Sequence, residues 1–276
     1  MQNGSIAHIK VKRVSINKLV DADDELAVEE PLEIQLLYGG SSQPIQKTIS
    51  VTMRTPGYDE ELAVGFLFTE GIIQNRSQVF EIHPIPFTHN KILVTLAANE
   101  NPMLQKSERN FYTTSSCGVC GKSSIDAIKT FSVYQNGPDE IRVKAGLFYG
   151  LHDALRKQQA VFENTGGLHA SALFDLDGNF VMLREDVGRH NALDKIIGAA
   201  FLNNQLPLNN KILLLSGRAS FELVQKAVMA GIKIIASVGA PSSLAVEMAQ
   251  ENGITIIGFL HNDRFNIYSG EQRIVL

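Results

Sequence analysis

Cys117 and Cys120 stand three positions apart, and the chain has no other cysteine. They lie in Thr113-Thr114-Ser115-Ser116-Cys117-Gly118-Val119-Cys120-Gly121-Lys122, a polar stretch rich in glycine. Gly118 and Gly121 make such a loop pliable. Lys122 adds positive potential, as does the N-terminus of a helix expected over residues 123–128, where Ser123 and Asp126 have capping-box spacing. This setting favours a thiolate over a thiol. A thiolate can attack a persulfide, take its outer sulfur and present that sulfur to an acceptor. Three other readings fit two thiols at this spacing. They could be zinc ligands completed by His152, His169 or His190. They could be a thioredoxin-type dithiol, although no apolar strand runs directly into the loop. They could be two small buried apolar side chains, which the polar setting argues against. Two cysteines cannot complete a four-cysteine zinc site within one chain.

The elements around this loop come in two styles. The first third is β-rich, with strands expected over 31–38, 48–53 and 92–96. A helix is expected over 59–69, where Asp59, Glu60 and Glu61 put negative charge in the first turn. Leu62 and Phe66, and Ala63 and Leu67, lie four apart on shared faces, and Gly71 is a plausible stop. Residues 99–110 are polar and irregular. A boundary near residue 110 divides a smaller β-rich N-terminal domain (1–110) from a larger α/β domain (111–276) that carries the thiol loop. The larger part alternates helix and strand. A helix is expected over 145–157. Strands over 169–175 and 180–184 flank Asp177-Gly178, a strong hairpin signal because the turn requires positive φ. Asn191 is expected to cap a helix that runs to about 202. Strands over 211–215, 232–238 and 254–260 alternate with helices over 219–230 and up to Gly253. This βαβαβ run has nearly continuous apolar strands, which implies parallel pairing with both faces buried. The fold class is α/β, α+β overall, with a mostly parallel sheet in the larger domain.

Composition excludes some roles. With 276 residues, 44% of them hydrophobic, the chain can bury a core without staples. Its 25 Lys and Arg against 29 Asp and Glu give a formal charge of −4. General nucleic-acid binding shows as excess basic residues, so none is expected. No apolar run reaches the ~18 residues that a bilayer span needs. The first residues lack a basic segment followed by an apolar one. A cytoplasmic location with no membrane association is therefore expected.

Several long motifs, in order, resemble those of the FdhD family. They are Phe111-Tyr112-Thr113-Thr114-Ser115-Ser116-Cys117-Gly118-Val119-Cys120-Gly121-Lys122, Thr52-Met53-Arg54-Thr55-Pro56-Gly57 and Thr165-Gly166-Gly167-Leu168-His169-Ala170. Glu61-Leu62-Ala63-Val64-Gly65-Phe66-Leu67 and Arg184-Glu185-Asp186-Val187-Gly188-Arg189-His190-Asn191-Ala192-Leu193-Asp194-Lys195 belong to the same pattern. It continues through Ser216-Gly217-Arg218-Ala219-Ser220-Phe221-Glu222 and Ala240-Pro241-Ser242-Ser243, leaving only about 25 N-terminal residues and the last few generic. The resemblance implies a sulfur carrier needed for active formate dehydrogenase, with sulfurtransferase-type activity. Such a protein takes persulfide sulfur from a cysteine desulfurase of the IscS type. It passes the sulfur to molybdenum or tungsten held by two molybdopterin guanine dinucleotides, before insertion into the formate dehydrogenase catalytic subunit. The resemblance also implies a homodimer and a larger domain with the three-layer fold of cytidine deaminases. Cys117, the first thiol, is expected to carry the persulfide, with Cys120 as a helper or resolving thiol.

A carrier of that cofactor must hold phosphates and a base. In an open parallel sheet, ligands sit beyond the carboxyl ends of the strands. Those ends are expected at Ser216-Gly217-Arg218, at Gly239-Ala240-Pro241-Ser242-Ser243 and at Phe259-Leu260-His261-Asn262-Asp263-Arg264. The first two lead into helix N-termini, which favour phosphate. Arg218 and Arg264 could add charge-assisted hydrogen bonds. Asp263 could accept from guanine ring nitrogens and Phe259 could pack on the base. The family resemblance places a cofactor-binding segment on residues 259–264, so guanine nucleotides such as GDP are expected to mimic the cargo. Arg184, Glu185, Asp186, Arg189 and His190 form a second charged cluster, read as a salt-bridged scaffold or as a pocket wall facing the metal end of the cofactor. Two alternatives remain. A zinc deaminase needs His-x-Glu followed by Pro-Cys-x-x-Cys. Here His169-Ala170-Ser171 lacks the glutamate and follows the thiols, and Ser116 replaces the proline. The other alternative is a non-catalytic chaperone that only carries the cofactor.

Overall fold

The computed structural model describes residues 4–40, 43–88, 90–98, 100–104, 132, 134 and 140–276. Cys117, Cys120, the helix expected over 123–128 and the boundary near residue 110 lie outside the described residues. The chain opens with an antiparallel hairpin, β1 (Ile6–Ser15) and β2 (Lys18–Ala27), for which the sequence had suggested no element. Its two strands carry opposite charge. His8, Lys10 and Lys12 face Glu25, Asp23 and Asp21 across the register.

A four-stranded sheet follows. It consists of β3 (Glu30–Tyr38), β4 (Ile45–Arg54), β5 (Val79–Pro84) and β6 (Lys91–Leu96), in the order β4-β3-β6-β5. Helix α1 (Asp59–Thr69) covers one face and has the expected bounds. Its start is tied to the sheet by Arg54, which donates to Asp59 at 3.0 and 2.9 Å.

The second half contributes β7 (Val143–Lys144), α2 (Ala145–Phe148), α3 (Leu151–Gln158) and α4 (Ala160–Thr165). A single helix was expected over 145–157. It is broken at Tyr149-Gly150, where glycine weakens the helical backbone. Then come β8 (His169–Asp175), β9 (Phe180–Asp186), α5 (Arg189–Leu202) and β10 (Lys211–Leu215). They lead into α6 (Phe221–Met229), β11 (Ile234–Ser237), α7 (Ser243–Glu251), β12 (Thr255–Gly258) and β13 (Asn266–Ser269). A last strand, β14 (Ile274–Val275), pairs with β7. The Asp177-Gly178 turn is as expected. Gly178 has φ 85°, and Asp175 accepts from the backbone N–H of Asp177 and Asn179.

The α/β class stands, but the main sheet is mixed. Its order is β13-β12-β11-β10-β8-β9. Only β10–β11 and β11–β12 pair in parallel, because helical crossovers join those strands. The β8–β9 hairpin, β8 against β10, and β13 against β12 are antiparallel. β13 returns after a short turn, and a short turn can only join antiparallel neighbours.

The sheet is covered on both faces. One face sends Leu213, Leu215, Ile235 and Ile256 into a core shared with α5, α6 and α7. That core runs on through α1 to Ile34, Leu36 and Val94 of the four-stranded sheet. The other face packs Ile212, Leu214, Ile234 and Ile257 against Phe148, Leu151 and Leu155. Helices α1 and α5 cross at Gly65 and Gly198. A Cβ on either glycine would collide with the backbone carbonyl of Asp194 or Glu61. Among the described residues, no helix is long and apolar enough to cross a membrane.

Candidate functional site

Strands β9, β10, β11 and β12 all end at the same edge of the main sheet, and antiparallel β8 begins there. This edge gathers the loops that follow β10, β11 and β12. Backbone hydrogen bonds lace the three loops after β10, β11 and β12 together. Gly239 donates to the Gly217 carbonyl at 2.9 Å, Phe259 to Gly239 at 3.2 Å and Leu260 to Ser237 at 3.1 Å. The Ser237 hydroxyl donates to the carbonyls of Gly239 and Ile257. The fit is close: a Cβ on Gly239 would lie 2.9 Å from Arg218 Cγ, and one on Gly258 would lie 2.7 Å from Pro241 Cδ.

The segment 259–264 forms a knuckle on this edge. His261 N–H donates to the Arg264 carbonyl at 2.9 Å, which turns Asn262 and Asp263 outward. Phe259 takes φ 52°, a backbone state that bulky residues rarely adopt, and 44% of it is exposed. Leu260 points the other way, fully buried, so only its backbone faces the edge. Asn262 is tied down by Asp153 of α3, to which it donates at 2.9 Å. Arg218 and Arg264 are exposed, and neither meets an acid among the described residues. The structure thus brings Arg218 and residues 259–264 to one edge. Ser242 caps α7, its hydroxyl accepting from Ala245 N–H at 3.2 Å.

The charged cluster 184–190 divides by role. Arg184 grips Glu61 with two hydrogen bonds, at 2.6 and 2.8 Å, and lies over the Tyr58 ring at 3.9 Å. Glu185 accepts from the N–H groups of Val161 and Phe162. Asp186 is fully buried and pairs with Lys195 at 2.7 Å. It also accepts from the N–H groups of Thr55 and Gly188 and from Asn191. Burial pushes the Asp186 carboxyl up, while Lys195 and these donors oppose that. Lys195 donates in turn to the Thr55 carbonyl at 2.9 Å. These groups form a scaffold that clamps the turn after β4 onto the start of α5. Asn191 does not cap α5, which begins at Arg189. Its amide donates to the Met53 carbonyl and to Asp186.

His169 and Arg189 are different. His169 is half-buried between Gly217 of the β10 loop and Asp186 of β9. Burial, reinforced by the Arg189 guanidinium and opposed by Asp186, lowers its pKa, so the ring is neutral near pH 7. Ser171, where a deaminase would keep its glutamate, is buried in β8. Among the described residues, no three His, Cys, Asp or Glu side chains are arranged to hold a metal ion.

A second buried ion pair escaped the sequence reading. Lys226 of α6 donates to both oxygens of Asp194, at 3.0 and 2.9 Å, and to the Thr69 hydroxyl. The available signal was a charged residue in each of two mostly apolar helices, Asp194 beside Lys195 and Lys226 beside Gln225.

Comparison with known proteins matches residues 27–275 to the FdhD/NarQ family. A relative from Mycolicibacterium paratuberculosis, named sulfur carrier protein FdhD, is 47% identical over 96% of this chain and 97% of its own. A protein of the same name from Thermoplasma volcanium is 38% identical over 99% of this chain and 98% of its own. A crystal structure from Desulfotalea psychrophila, described as a candidate formate dehydrogenase accessory protein, superposes with a TM-score of 0.76. It covers 98% of this chain and 100% of its own at 24% identity, and so speaks for the fold.

Proposed function

The chain belongs to the FdhD/NarQ family, and from that premise we propose that it is a sulfur carrier in formate dehydrogenase maturation, with Cys117 as the carrying thiol. The observation that carries this reading is near-full-length identity of 46–47% to several proteins named sulfur carriers. The exposed Arg218 and Arg264, which meet no acid among the described residues, support it as a place to hold an anionic cargo. In the first step the Cys117 thiolate attacks the outer sulfur of a desulfurase persulfide. A new S–S bond forms on Cys117, and the desulfurase cysteine leaves as a thiolate. In the second step the Cys120 thiolate attacks the inner sulfur of that persulfide. The outer sulfur leaves as hydrosulfide to become a ligand of the acceptor metal, and the two cysteines are left as a disulfide. The two electrons come from the thiols, so a thiol reductant must restore them for the next cycle.

The acceptor in this reading is molybdenum or tungsten bound by two molybdopterin guanine dinucleotides, the substrate of the transfer. Its guanine end would stack on Phe259 and accept hydrogen bonds from Arg218 and Arg264, with Asp263 accepting from the base. The partners are a cysteine desulfurase, the formate dehydrogenase catalytic subunit and a second copy of this chain. Mass spectrometry after incubation with a desulfurase and cysteine tests the reading. One added sulfur that maps to Cys117 is expected. No added sulfur, or sulfur confined to Cys120, would overturn it. The same result separates a sulfur carrier from a chaperone that only holds the cofactor.

A further inference from the structure

Most buried or half-buried cations in this protein are matched by acids. Arg54 meets Glu30 and Asp59, Arg184 meets Glu61, Lys195 meets Asp186, and Lys226 meets Asp194. Arg189 breaks the pattern. It is the first residue of α5, it is half-buried, and its buried Nε has no hydrogen-bond partner among the described residues. The Ser220 hydroxyl, at the start of α6, is likewise buried and unpartnered among the described residues, and it makes no cap hydrogen bond. The two helix starts lie together, because His190 and Glu222 approach to 3.9 Å.

The nearby acids are already engaged. Asp186 holds Lys195 and three N–H or amide donors, Glu185 holds two backbone N–H groups, and Glu222 sits against His190. The corner therefore presents a guanidinium Nε and a hydroxyl that are buried and unsatisfied among the described residues. An unpaired buried donor is costly unless a ligand completes it. A guanidinium fork together with a hydroxyl suits a tetrahedral oxyanion.

We propose that Arg189, Ser220 and His169 form a second anion subsite, at the β8–β9 end of the loop edge, that binds a phosphoryl-type oxyanion. Phe259 follows β12, which lies three strands from β8. At the usual strand spacing the two ends are about 14 Å apart. The edge is thus a two-ended groove for an elongated anion, with an aromatic platform at one end and an oxyanion pocket at the other. The subsite rests on the proposed function for the identity of that two-ended ligand, whereas its donors are read from the geometry alone. A neutral His169 beside Arg189 gains a proton more easily once an anion binds, so binding is accompanied by proton uptake.

The test uses the full chain carrying Arg218→Gln and Arg264→Gln, which silences the other end of the groove, with inorganic pyrophosphate as the probe. Calorimetry should show one bound pyrophosphate, and NMR of labelled histidine should show the His169 ring shifting. Adding Arg189→Gln should weaken binding at least tenfold and abolish the ring shift. Arg189→Lys, which keeps the charge but loses the fork, should fall between the two. Arg189 makes no hydrogen bond or ion pair among the described residues, so these variants should melt like their parent. No pyrophosphate binding to the Arg218→Gln/Arg264→Gln chain, or binding that survives Arg189→Gln undiminished, would overturn the subsite. A chain that takes no sulfur from a desulfurase would overturn the sulfur-carrier reading and leave this result standing.

Discussion

Replacing Lys195 with methionine tests the clamp between the two halves of the molecule. Lys195 and Asp186 are both buried, 1% and 0% exposed, and their charged atoms lie 2.7 Å apart. Methionine preserves the stem volume but removes the ammonium. Asp186 then keeps its bonds from Thr55, Gly188 and Asn191, while its charge has no counter-charge within contact. The Thr55 carbonyl also loses its donor. Breaking one side of a buried pair costs about 3–5 kcal/mol. At about 2–4 °C per kcal/mol for a chain of this size, the melting temperature should fall by about 6–20 °C. Asp186→Asn combined with Lys195→Met removes both charges and should recover part of the loss. Urea denaturation of the parent, the two single variants and the double variant gives the coupling energy directly. A loss below about 1 kcal/mol for Lys195→Met, the scale of an exposed pair, would refute the reasoning. So would a coupling energy near zero.

Other outcomes follow from the same structure. Gly65→Ala must push α1 away from α5, because its Cβ would meet the Asp194 carbonyl, so it should be destabilising by several kcal/mol or prevent folding; a variant as stable as the parent contradicts the close crossing. Glu33 is held at a pKa of about 2, first by its hydrogen bond from Lys91 and then by Thr48. A lowered carboxylate pKa stabilises the fold above the unfolded-state value of 4.5, and that contribution is lost as pH falls through about 2. Solvent around the pair limits its size, and Glu33→Gln should flatten the acid limb of a pH–stability curve in this window. Phe259→Ala should weaken GDP binding by at least about fivefold, the low end of base–aromatic stacking. Equal GDP affinity for parent and variant in calorimetry would remove the platform role.

Much of the main sheet was legible because its signals are local. The strands at 211–215, 234–237 and 255–258 are short apolar runs punctuated by glycine, and the helix over 59–69 carries its acids and its apolar face in plain view. The edge with its three loops follows from that alternation, and this is why Arg218 and residues 259–264 could be placed together in advance. What could not be read depends on pairing at a distance. The β1–β2 hairpin buries little, and its charges become a pattern only once the register sets Lys10 opposite Asp23. The balance of parallel and antiparallel strands depends on β8 lying against β10 and on β13, a half-polar strand with no apolar run. Arg184 finds Glu61 123 residues away, so the cluster at 184–190 could not be divided into scaffold and free donors from spacing alone. Asn191 looked like a cap because caps favour asparagine. Its amide instead donates to the Met53 carbonyl, 138 residues away, and to the neighbouring Asp186 carboxylate.

The relay of sulfur itself is the claim to test most directly. The chain is loaded with one 35S atom by a desulfurase, separated from it, and mixed in a single turnover with molybdenum bis(molybdopterin guanine dinucleotide). A carrier transfers one equivalent of 35S to the cofactor, and Cys117 and Cys120 finish as a disulfide. Label that stays on the chain, or that leaves as free sulfide at the same rate with and without the cofactor, would contradict the relay.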